Sequence, residues 1–134
     1  MSAASGNLAE VEIAKTAAKS SDKEIKKLGA DLVAAHEMLY GEVKALAVSK
    51  NISIPSTADD DAKKKAKDLN DAKPADFDKE WINTLIDKHE GTVKKYEDVA
   101  ANTSDNDLKT WVTATIPKVK EHLSMLQAKK DKMK

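Results

Sequence analysis

The sequence predicts an all-α fold, a four-helix-type bundle, and that reading rests on three observations. Only four glycines and three prolines occur in 134 residues, too few turn formers for a sheet protein. Aromatic residues are scarce at 4%, while charged residues make up 34% and hydrophobic residues 40%. The apolar residues also recur at steps of three and four over long stretches, which is the period of a helix face. A single domain over residues 1–134 is expected, because a chain of this length buries one core without staples. Residues 1–6 and 131–134 are expected to fray.

The first helix is expected over about residues 8–19, with Leu8, Val11, Ile13, Ala14, Ala17 and Ala18 forming a small-residue face and Asn7 as N-cap. Such a face predicts close packing. The run "KSSDKE" breaks the pattern, and Ser21 with Glu24 reads as a capping box opening a long helix over about residues 22–50. Its seam is Ile25, Leu28, Leu32, His36, Leu39, Val43 and Leu46.

Pro55 in "NISIPSTADDD" stops the helical pattern, and Thr57 or Asp59 is placed to cap a short helix over about residues 59–71. There Ala62, Ala66 and Leu69 form only a narrow stripe, so this helix reads as a surface connector. Its three aspartates precede three lysines, giving pairs four apart worth about 0.2–0.5 kcal/mol each.

The fourth helix, about residues 75–101, carries Phe77, Trp81, Ile82, Leu85, Ile86, His89, Val93, Tyr96 and Ala100 on a wide face. The fifth, about residues 105–130, opens on Ser104 and Asp107 as another capping box and carries Trp111, Val112, Thr115, Val119, His122 and Leu126 inward. Pro117 lies inside it, removes a backbone donor and predicts a kink that releases the carbonyl of Thr113. That kink either aims His122 or wraps the helix around the core.

All 23 basic residues are lysines, balanced by 23 acidic residues to a formal net charge of zero. This speaks against nucleic acid as a partner, because phosphate binding needs positive charge and base readout leans on arginine. The absence of cysteine excludes disulfides, thiolate catalysis and cysteine-based metal sites. No apolar run reaches the roughly 18–20 residues of a membrane span, and "MSAASGN" lacks the charged and apolar regions of a signal peptide.

The chain has three histidines, His36, His89 and His122, and each takes a seam position on a different long helix. Imidazoles in a bundle interior are ligands for borderline metals such as iron, zinc or copper. A ferritin-type di-iron centre is not expected, because such bundles use Glu-x-x-His and here Val33, Ile86 and Val119 stand three before the histidines. Glu37, Glu90 and Glu121 adjoin the histidines but point about 100° away along a helix. Glu10 shares a face with Ile13, Ala14 and Ala17, which makes it a candidate metal ligand or a hydrogen-bond acceptor for an imidazole.

The competing reading is that each histidine is a neutral core residue paired with a carbonyl, a buried water or a hydroxyl such as Tyr40, Tyr96 or Thr115. No Ser/His/Asp order, glycine loop or paired-carboxylate motif stands out, so no enzyme activity is expected. The tryptophans and Tyr96 read as core anchors.

Three blocks also carry a resemblance: "GNLAEVEIAKTAAKSSDKEIKKLGADLVAAHEML", "FDKEWINTLIDKHEGTV" and "DLKTWVTATIPKVKEHLSML". They resemble a widespread bacterial family of exported helical proteins, catalogued as a domain of unknown function, often labelled predicted outer membrane protein and regarded as ferritin-like. The matching residues include Gly6, Glu10, Phe77, Asp78, His89, Ile116, Pro117, Glu121 and His122; Trp81 stands where tyrosine is more usual. The resemblance implies a periplasmic or outer-membrane-associated home, with an export signal ahead of "MSAASG" in the native protein. It also implies that His36, His89, His122 and Glu10 share one cluster. The resemblance brings no established activity; the preferred reading is a non-enzymatic envelope protein with a structural or stress-related binding role, and the competing one is a transition-metal-binding bundle for storage, buffering or sensing through the histidines.

Overall fold

The computed structural model describes residues 2–133, and among these it is all-helical, with no strand. Its elements are α1 (Ser2–Lys15), a 3-10 turn (Thr16–Lys19), α2 (Lys23–Ser49), α3 (Asp60–Asp71), α4 (Pro74–Asn102) and α5 (Asn106–Lys132). Contacts group the chain into two compact units, one ending at Ile82 and one beginning at Asn83, so the boundary falls inside α4.

In the first unit α1 packs on α2 and on α3. The small residues expected on the first helix make a close approach: a Cβ added to Gly29 of α2 would stand 2.3 Å from Ala17 Cβ and 3.0 Å from the Ala14 carbonyl oxygen. Trp81 lies against the same glycine, and Ile13, Ile25, Leu32, Val43 and Phe77 are buried in this unit.

The first helix differs from expectation. It begins at Ser2, and Ala4 is buried, so the segment expected to fray is helical from its second residue. Asn7 is no N-cap; it lies mid-helix and buried. The last four residues of the expected helix tighten into the 3-10 turn, where the Thr16 hydroxyl donates to the Ile13 carbonyl at 2.6 Å.

The caps of α2 and α5 each fall on the aspartate that follows the predicted serine. Asp22, not Ser21, caps α2 by accepting from the Glu24 amide at 2.9 Å. Ser20 shapes the turn before it, accepting from the Asp22 amide at 3.0 Å and donating to Asp78 at 2.6 Å. Asp105, not Ser104, caps α5 through the amides of Asp107 and Leu108, after a turn in which Thr103 accepts from the Asp105 amide. A carboxylate suits this place because it meets both the unpaired amides and the positive end of the helix dipole.

Asp59 caps α3 as expected, 2.9 Å from the Ala62 amide. The helix is more than a surface connector: Ala62, Ala66 and Leu69 are buried, and Ala62 joins Ala9 and Ala58 in a small cluster covered by Leu8. Lys63, Lys64 and Lys65 face solvent. Its C-terminal end is held by Lys19, whose ammonium donates to the carbonyls of Leu69 (3.3 Å), Asn70 and Ala72 (2.6 Å) and stands 5.4 Å from the Phe77 ring centroid. Before α3, Asn51 adopts φ 58°, the left-handed conformation that asparagine tolerates best among residues with a side chain.

In the second unit, α5 and the part of α4 after Ile82 bury Leu85, Ile86, His89, Tyr96, Val112, Thr115, Val119 and Leu126. The rings of Tyr96 and Trp111 meet edge to face, centroids 5.6 Å apart, as core anchors do. Pro117 does not interrupt α5, which runs on to Lys132 with Met133 as C-cap. The tail expected to fray is therefore helical to that point, and Lys134 lies outside the described residues.

Candidate functional site

Each unit builds its own histidine group. In the first, Asn7 and Glu10 are three residues apart on α1 and so share the face presented to α2. His36 of α2 lies between them, with Nδ1 2.8 Å from Asn7 Oδ1 and Nε2 2.8 Å from Glu10 Oε2. The His36 and Glu10 side chains are only 1% and 3% exposed. A carboxylate so placed is tolerable only with a partner, because an unpaired buried charge is among the costliest groups in a protein. The pair fixes the plane of the imidazole, as a carboxylate on one ring nitrogen does in histidine metal sites.

In the second unit, His89 of α4 and His122 of α5 meet edge to face, with ring centroids 6.0 Å apart and planes at 82°. Their ligand atoms lie within 4.8 Å of one another; His89 is buried and His122 half-buried. His89 Nδ1 lies 2.8 Å from the Leu85 carbonyl oxygen, four residues back on the same helix. A carbonyl can only accept, so in the neutral ring the proton is on Nδ1 and the lone pair is on Nε2.

Of the sequence-derived candidates, the structure brings Glu10 to His36 and His89 to His122. Glu10 Oε2 stands 2.8 Å from His36 Nε2. The neighbours Glu37, Glu90 and Glu121 are exposed, as their position along the helices predicts. Two hydroxyls considered as histidine partners donate to carbonyls instead, Tyr40 to Pro55 at 2.5 Å and Thr115 to Trp111 at 2.6 Å. The partner that sequence reasoning missed is Asn7. Its signal was a polar residue one turn before Glu10 on an otherwise apolar face, which was read as a cap because asparagine is common there.

No helix among the described residues is long and apolar enough to cross a membrane. No curated protein and no solved structure matches the chain. A family model does match, over residues 1–128, nearly the whole length and all three sequence blocks. The chain belongs to the family described as Domain of unknown function (DUF4142).

Proposed function

We propose that the protein is a binding protein for a transition metal ion, held by the interior histidines His89 and His122 of the second unit, while Glu10 orients His36 within the first. The observation that carries this reading is the His89/His122 pair: two imidazoles in edge contact, one fully buried, with the tautomer of His89 set by the Leu85 carbonyl. Core packing alone has no need of two adjoining imidazoles where leucine or valine would fill the seam, and imidazole is the commonest protein ligand for such metals. The buried Glu10–His36 contact supports the same reading, since carboxylate-oriented histidines are the usual furniture of metal sites. The envelope location implied by the family resemblance belongs to this proposal, where the protein would store or buffer the ion without turning it over.

Metal analysis of untagged protein, followed by titration of the stripped chain with iron, zinc and copper, tests the proposal. The expected result is one ion per chain, with a higher melting temperature in its presence because the ion binds only the folded state. A stripped chain that takes up none of the three, and melts at the same temperature with and without them, would leave the histidines as core residues.

A further inference from the structure

Three of the four large hydrophobic side chains that stand exposed among the described residues lie on α2 or just past its end: Met38 (64% exposed), Val48 (66%) and Ile52. Isolated exposed apolar residues are ordinary, whereas a connected row of them marks a surface that meets something. Met38 and Val48 belong to such a row. Ala30, Ala34, Met38, Gly41, Ala45 and Val48 are all exposed and follow one another at steps of three and four, which makes one stripe about 27 Å long. It lies about 180° around the helix from the buried seam of Leu32, His36, Leu39 and Val43, so α2 is apolar on two opposite sides and its own chain covers one of them. Gly41 stands mid-helix with nothing within 4 Å, so packing within the chain gives no reason for a glycine where alanine is the better helix former.

We infer that this stripe is the contact between two copies of the chain, whose α2 helices pack antiparallel about a two-fold axis. Antiparallel pairing sets Met38 over the second copy's Gly41, Val48 over the second copy's Ala30 and Ala34 over the second copy's Ala45, so each large side chain meets a small one. The same register brings Glu37 level with the second copy's Lys44, and Lys44 level with the second copy's Glu37. Both residues are exposed and lie along one edge of the stripe, and antiparallel packing places like edges side by side. Parallel packing would instead set Met38 on Met38 and Glu37 beside the second copy's Glu42, a like-charge contact. The charges of this face therefore complement the same face reversed, which makes a second copy its occupant. One helix against one helix is a contact at the small end of specific interfaces, so the dimer forms reversibly.

Sedimentation equilibrium of the full chain over a micromolar to millimolar range tests this. The parent should pass from the monomer to the dimer mass, and Met38→Glu, at a side chain already open to solvent, should hold it at the monomer mass with unchanged helix content. Glu37→Lys turns two attractive pairs into repulsive ones and should weaken the dimer by about tenfold, while Glu37→Lys combined with Lys44→Glu restores it. The chain has no cysteine of its own, so introduced ones report the register. A mixture of Ala34→Cys and Ala45→Cys chains should form a disulfide-linked dimer, whereas neither should do so alone, because two copies of position 34 stand about 16 Å apart along the antiparallel helices. A parent that stays monomeric throughout, or a dimer that Met38→Glu leaves intact, overturns the proposal. A Glu37→Lys dimer tighter than the parent, or Ala34→Cys chains linked to one another, overturns the antiparallel arrangement. A monomer that binds vesicles of phosphatidylethanolamine and phosphatidylglycerol, and loses them on Met38→Glu, gives the face to a lipid surface instead of a second copy.

Discussion

Gly29 and Gly41 sit in the same helix, yet an added methyl group should act on them in opposite directions. At Gly29 it would collide with Ala17 and the Ala14 carbonyl, whereas at Gly41, and at Gly91 of α4, nothing lies within 4 Å. Gly29→Ala therefore trades a helix-propensity gain of about 1 kcal/mol for overpacking of about 1–3 kcal/mol, a net loss expected in urea unfolding. Gly41→Ala and Gly91→Ala should stabilise by about 0.5–1 kcal/mol each. At the buried pair, Glu10→Ala should cost about 3–5 kcal/mol, because it strands His36 in the core. A Glu10→Ala chain as stable as the parent would show that the two side chains do not depend on each other. Seam positions made His36 and His89 legible as interior residues, and the face shared with Ile13 and Ala14 pointed to Glu10. The close approach at Gly29 was not legible, since one glycine in a helical run says nothing about what lies opposite.

At the scale of elements, short α3 depends on its ends. Asp59 satisfies its first turn, and Lys19 binds the carbonyls released at its last turn. Asp59→Ala should cost about 1 kcal/mol. Lys19→Met, which keeps the stem but removes the ammonium, should speed amide exchange in α3 while leaving α5 unchanged. Equal exchange in parent and Lys19→Met protein would mean that the buried stripe of Ala62, Ala66 and Leu69 holds the helix alone. Helix positions could be read from their seams, but ends were less legible. Ser21 and Asp22, like Ser104 and Asp105, are adjacent good caps, and the choice between them is made by the preceding turn. The start of α1 carries no apolar periodicity at all in "MSAASG", so only tertiary burial of Ala4 reveals it.

For the whole molecule, the two tryptophans provide one reporter per unit: Trp81 is buried in the first, and Trp111 contacts Tyr96 in the second. Because α4 is continuous across the boundary, we expect the chain to unfold as one cooperative domain. Trp81→Phe and Trp111→Phe proteins, each reporting from the remaining tryptophan, should give the same urea midpoint once corrected for the stability change of each substitution. Separate transitions within one protein, seen by fluorescence and by helix signal, would instead show two independently folding parts.

The continuity of α4 has one more consequence, a mechanical one. Within the second unit, His89 and Tyr96 stand two turns apart on this helix, separated by about 10 Å of hydrogen-bonded backbone. A ligand that stiffens the helix at His89 damps bending at Tyr96 too, so the contact of Tyr96 with the Trp111 ring feels an event at the histidine through the stiffness of a helix.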